Sequence, residues 1–195
     1  MKNGGTTKIL ILASGSPQRR LLLKKLRIPF EIIPSDVSEK SSEKNPRKLV
    51  LQLAERKARS VARRRPQDLV LGADTIVVCR GEILLKPRDK KDSERILRLL
   101  NGRWQRVYTG VALALDGGKI ILKDAALTKV LARKLPEEAL AKLIGKHMDK
   151  AGAYAVQDKR DPFIKRIEGD RDNVVGLPMR VVRRLLQRAK GKPRS

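Results

Sequence analysis

The residues of this chain best suited to chemistry first gather at Ser14-Gly15-Ser16-Pro17-Gln18-Arg19-Arg20. The apolar run Ile9–Ala13 ahead of them reads as a buried strand, and the Leu-rich segment after them reads as a helix. Ser16 suits the N-cap, and Pro17 suits the first helical position, where its missing N–H costs nothing. Free N–H groups, two hydroxyls, a glycine and two guanidinium groups would then surround one spot, which is a ready site for a phosphate. An ordinary capped helix with solvated arginines fits the same residues equally well. The glycine spacing is neither that of a Walker loop nor that of a dinucleotide fingerprint.

Two further residues stand out because they break an apolar pattern. Lys57 falls inside the helical stripe Val50, Leu53, Ala54, Ala58 and Val61. A lysine on a core face is costly unless it is paired or reaches a polar cavity, although it can also snorkel to the edge. Asp74, followed by Thr75, interrupts the strand-like run Leu69–Cys79. A carboxylate in a buried strand needs a partner, a metal or a chemical task; a structural aspartate bonded to nearby backbone is the alternative. Lys86 precedes Pro87 at the end of a strand and so sits in extended backbone. Asp36 and Glu39 lie in the polar stretch Pro34–Lys44, where plain surface accounts for them as readily as a metal or substrate loop. Cys79 reads as core packing, and His147, the only histidine, as surface or capping.

The elements that must position these residues alternate early between strand and helix. Strands are expected at Ile9–Ala13, Phe30–Ile33 and Leu69–Cys79, with a hairpin return over Glu82–Leu85. Helices are expected from Pro17, from Asn45-Pro46 to the basic exit Arg63-Arg64-Arg65, and over Asp89–Leu100, closed by Asn101-Gly102. Trp104–Leu115 alternates as a strand, turns at Asp116-Gly117-Gly118 and pairs back over Lys119 to about Leu131. Pro136–Ile144 reads as a helix, Ala151–Gln157 as a strand, Phe163–Ile167 as its return and Glu168–Asn173 as a polar turn. Met179–Ala189 closes the chain as a helix, and residues 190–195 form a basic tail expected to be disordered. The fold class is mixed α/β: an elongated twisted sheet flanked by helices, within a single domain of two lobes around a central cleft.

At 195 residues the chain is long enough for a proper core, which must be aliphatic because aromatics make up only 3%. The formal net charge of +25 points to an anionic partner: nucleic acid, a membrane surface or a phosphorylated small molecule. Two Phe, two Tyr and one Trp offer few platforms for stacking bases. A single cysteine excludes an internal disulfide framework and fits a reducing compartment. No signal-peptide core and no bilayer-length apolar run is present, so a cytoplasmic protein with no membrane partner is expected.

Taken together and in order, LASGSPQRRLLL, the Glu39 loop, LAERKA, LGADTIV, LLKPRD, YTGVAL, DKAGAYAVQ and RIEGDRDNVVGLP resemble the Maf family of nucleotide pyrophosphatases from Ile9 to about Leu186. The resemblance implies hydrolysis of a nucleoside triphosphate to monophosphate and pyrophosphate. It also implies a divalent metal cation (Mg²⁺ first, with Mn²⁺ or Co²⁺ as alternatives) and a homodimer. It makes Asp74 the proton-accepting catalytic carboxylate and Glu39 the acid that joins it in holding the metal. Arg19, Lys57 and Lys86 become the cationic clamp on the triphosphate, and Ser14 and Ser16 the phosphate turn. Gln18, Thr75 and Gln157 fall where the family tunes base choice. Thr75 and Gln157 are similar to the branch acting on dTTP and UTP. Gln18 departs, since that branch usually has Arg there and the branch acting on 7-methyl-GTP usually has Trp. Asp158-Lys159-Arg160-Asp161-Pro162 also departs, standing where the family often has glycines. Both departures bear on the base rather than on the reaction.

Two other classes compete with the enzyme. The charge suits a nucleic-acid-binding module, but the anomalous residues fall at strand ends and on a core face instead of along one exposed stripe. A structural or regulatory role in cell division attaches to the family by name and could coexist with catalysis.

Overall fold

The computed structural model describes residues 8–156 and 162–191. In chain order the elements are β1 (Leu10–Leu12), α1 (Pro17–Leu23), β2 (Phe30–Ile32), α2 (Pro46–Ala62), β3 (Leu69–Cys79), β4 (Glu82–Leu84) and α3 (Lys90–Leu100). There follow β5 (Trp104–Leu115), β6 (Ile120–Ala132), α4 (Glu137–Ala141), β7 (Ile164–Glu168), α5 (Arg171–Val175) and α6 (Met179–Lys190). The strands form one open mixed sheet in the order β2-β1-β3-β5-β6-β7, with β4 added to β3. The β2-β1-β3 pairings are parallel and the remaining ones antiparallel.

Capping chemistry sets the helix starts. Ser16 accepts from the Arg19 N–H, Asn45 from the Lys48 N–H and Asp89 from the Asp92 N–H. Pro17 and Pro46 open their helices.

Side chains alternate across each strand, so the sheet has two distinct faces. Helix α2 lies on one, against Ile11, Val70, Ala112 and Ala114, and farther along against Ile76 and Val78. It lies close because Gly72 and Gly110 sit beneath it. A Cβ at Gly72 would fall 2.3 Å from the Ala54 carbonyl oxygen, and one at Gly110 2.3 Å from that of Val50.

The opposite face carries two apolar clusters. One joins Leu71, Ala73, Val111 and Leu113 to α1 and α6; the other joins Val77 and Val107 to α3 and Phe163. Between them the register pair Thr75 and Thr109 interrupts the apolar surface. A polar break in mid-sheet thus divides a continuous sheet into two separately packed ends.

Three expectations are corrected. Residues 151–156 form no strand: Ala151–Ala153 is a 3₁₀ turn with positive φ at Gly152 (80°) and Ala153 (60°). Consecutive left-handed residues cannot extend a ladder, and Gly152 sits so tightly on Tyr154 and Val77 that a Cβ would come within 3.0 Å of both. The polar turn expected over Glu168–Asn173 instead winds into α5, because Asp170 accepts from the Asp172 N–H as N-cap. Helix α4 ends at Ala141, followed by turns through Gly145 at φ 76°. The end of the expected strand, at Gln157, and residues 192–195 of the tail lie outside the described residues.

Candidate active site

One edge of β3 pairs with β5 almost throughout. On the other edge β1 covers Leu69–Leu71 and β4 covers Val77–Cys79, leaving residues 72–76 between the two ladders. A cleft of about 390 Å³ opens at this gap. Because neighbouring strand residues point to opposite faces, Asp74 is directed toward α2 and Thr75 toward α1 and α5. The site therefore wraps around the strand edge.

On the α2 side, Lys57 Nζ donates to Asp74 Oδ1 and Glu39 Oε1, at 2.6 Å each. Lys57 and Asp74 are both buried, whereas the Glu39 side chain is 47% exposed. The stretch around Glu39 is stapled to the same helix. Arg56 donates to the carbonyls of Ser38 and Lys40, at 2.8 and 2.9 Å, one on each side of the acid. Plain surface therefore does not describe Glu39; consecutive residues of α2 hold its loop. Lys86, just beyond β4, lies 4.0 Å from Glu39. Burial pushes the Glu39 carboxyl up. The hydrogen bond and charge of Lys57, with the charges of Lys86 and Arg19, outweigh that and hold it below its ordinary value.

On the other side, the Arg19 guanidinium is held at three points. Nε donates to the Gly176 carbonyl at 2.9 Å, one terminal nitrogen to Ser14 Oγ at 3.2 Å and the other to Thr75 Oγ1 at 3.1 Å. Thr109 donates to the Asn173 carbonyl at 3.0 Å, so the 3.0 Å contact between the two threonines runs from the Thr75 hydroxyl to Thr109. Asn173, fully buried, donates through its amide to the Val107 carbonyl and to Thr128. Desolvation lowers the Arg19 pKa from its ordinary value, while the charges of Asp74 and Glu39 act in the opposite sense. Arginine stays protonated under such shifts, so a fixed cation faces the cleft.

Ser14, Ser16, Gln18, Arg19, Glu39, Lys57, Asp74, Thr75 and Lys86 all line this cleft. Ser16 donates to the side-chain oxygen of Gln18 at 3.1 Å. Gln157 lies outside the described residues. Sequence reasoning missed the Gly176 carbonyl and the Thr109–Asn173 pair, which fix Arg19. The run of Asn173 to Pro178 carries part of the family resemblance, but no local spacing links it to a residue more than 150 positions away.

Among the described residues no group of three or more His, Cys, Asp or Glu side chains gathers in metal-binding fashion. Glu39 and Asp74 remain as a pair of hard oxygen donors that already share one cation, the Lys57 ammonium. Two carboxylates completed by water and phosphate oxygens are a donor set that suits Mg²⁺.

A family model described as Maf-like protein matches residues 9–189. A dTTP/UTP pyrophosphatase of Elusimicrobium minutum is 48% identical over 178 residues, covering 91% of this chain and 97% of that protein. A protein of the same name from Koribacter versatilis is 42% identical, covering 92% and 94%. Among solved structures, the Staphylococcus aureus Ham1 protein shares the fold at 13% identity with a TM-score of 0.52, covering 94% of this chain and 98% of that one.

Proposed function

The chain belongs to the Maf-like protein family, and from that premise we propose that it hydrolyses nucleoside triphosphates, dTTP and UTP foremost, to the monophosphate and pyrophosphate. The observation that carries the reading is the meeting of two carboxylates with Arg19, Lys57 and Lys86 in one cleft, each group supplied by a different segment. Relatives named for dTTP and UTP, together with Thr75, support the choice of base.

In this reading the triphosphate enters along the start of α1. The Ser14–Ser16 turn and Arg19 receive phosphate oxygens, and Lys86, 57% exposed, swings onto the departing pyrophosphate. Asp74 accepts the proton of the attacking water as its oxygen bonds to the α-phosphorus and the bond to the bridging oxygen breaks. Lys57 orients Asp74 for that task through its 2.6 Å hydrogen bond. Glu39 and Asp74 would hold a divalent cation, Mg²⁺ first, which supplies charge neutralisation at the phosphates and a more acidic water. Two protein oxygens bind such an ion weakly alone, so metal and nucleotide are expected to bind together. A homodimer and a cytoplasmic location, where nucleoside triphosphates are made and used, belong to the same proposal. No helix among the described residues is long and apolar enough to cross a membrane.

The test is pyrophosphate release from dTTP, UTP, CTP and 7-methyl-GTP, each with Mg²⁺. Turnover highest with dTTP and UTP is expected. No release from any of the four would overturn the reading, and a clear preference for 7-methyl-GTP would move the protein to the other branch.

A further inference from the structure

Helix α6 presents a second feature that the cleft does not use. Its inward residues Val181, Val182 and Leu185 are buried against the sheet. Its exposed positions are Arg180, Arg183, Arg184, Gln187, Arg188 and Lys190, so every one except Gln187 is a cation. At 100° per residue these positions share one outward face. Of these α6 cations only Arg184 makes an ion pair among the described residues, with Asp124. The stripe runs about 15 Å along the helix, long enough to meet several phosphates of a duplex.

We propose that the outward face of α6 docks the phosphate backbone of double-stranded nucleic acid, without reading sequence. Three observations support this partner. The net charge of +25 supplies the long-range attraction. The apolar side of α6 is already committed to the core, so the helix cannot lay an apolar face into a bilayer. No aromatic residue stands on the stripe, so the stacking that single strands require is absent. What remains is a row of cations, which is the chemistry of backbone contacts and counterion release.

The test uses the full chain and a fluorescent 20-base-pair duplex of random sequence, with anisotropy followed across a salt series. The stripe variant carries Arg180→Gln, Arg183→Gln and Arg188→Gln. A control variant of equal charge loss carries Arg133→Gln, Lys134→Gln and Lys142→Gln, three exposed cations outside α6. Wild type is expected to bind with an affinity that falls steeply with salt. The stripe variant should lose at least about tenfold in affinity, with a log–log salt slope shallower by about 3, while the control stays within about threefold of wild type. Pyrophosphate release and the melting temperature should be unchanged in the stripe variant. Absence of duplex binding by wild type would overturn the proposal, as would equal losses in the two variants. Stripe-dependent binding to phosphatidylserine vesicles without duplex binding would also overturn it, in favour of a lipid surface.

Discussion

Lys57 and Asp74 meet at 2.6 Å, nitrogen to oxygen, between a helix and a strand that share almost no solvent-exposed surface at that point. The lysine satisfies the aspartate and also Glu39, so one cation organises both acids of the cleft. Asp74→Asn keeps the shape and an oxygen for Lys57 to donate to, while Glu39 still balances the lysine's charge. The fold should survive and turnover should fall by about 10²–10⁴-fold, the usual contribution of a positioned base. Pyrophosphate release together with a thermal melt checks both halves, and full activity in a folded variant would remove Asp74 from its assigned role.

The acid side of the cleft has a definite pH behaviour. Glu39 has a carboxyl pKa below its ordinary 4.5, burial being outweighed by Lys57 first and then by Lys86 and Arg19. A group depressed on folding stabilises the fold fully above its unfolded value and loses that contribution as pH falls through the folded value. The stabilisation that the Glu39–Lys57 ion pair contributes should therefore be whole above about pH 4.5 and be lost below it, as pH falls through the depressed value, while the Arg56 bonds to the loop backbone stay. Lys57→Met should move the Glu39 titration upward, and Lys86→Met should move it upward by less. Carboxyl ¹³C NMR, assigned with Glu39→Gln, reads the shift. Lys57→Met also strands a buried carboxylate, with a cost of about 3 kcal/mol, so the exposed Lys86→Met gives a reading even where the first variant folds poorly.

Close packing of α2 sets the Lys57–Asp74 distance. Gly110, opposite Asp74 in the ladder, leaves no room for a Cβ beneath Val50. Gly110→Ala must lift the helix, because the obstructing atoms are backbone. A loss of about 1–3 kcal/mol in stability is expected, as is a fall in turnover toward 10²-fold from an ångström-scale shift of Lys57. Wild-type melting and kinetics would show that the helix does not set the site.

Base choice should respond to Gln18, whose side-chain oxygen is engaged by Ser16 at the cleft wall. Gln18→Arg releases that contact and brings donors suited to the carbonyl oxygens of thymine and uracil. The kcat/KM for dTTP and UTP relative to CTP is expected to rise by about five- to tenfold, worth about 1 kcal/mol at the transition state. An unchanged ranking would retire Gln18 as a selector.

Much of this protein was written in local sequence. The apolar run of β3, the stripe of α2 and the alternation of β5 were legible because burial imposes a period on each element, and Ser16, Asn45 and Asp89 marked helix starts through their own backbone bonds. Lys57 and Asp74 were conspicuous for the same reason: each violates the pattern around it. Tertiary structure alone decided that these two violations satisfy each other, because neither residue can see across 17 positions without the helix packing on two glycines. It also decided that Glu39 is tethered, that Ala151–Ala153 turns instead of extending, and that Thr75, Thr109 and Asn173 form the polar seam fixing Arg19. Periodicity reports how an element meets the core as a whole; which partner fills a given polar vacancy depends on contacts distant in sequence, and only the assembled sheet brings those together.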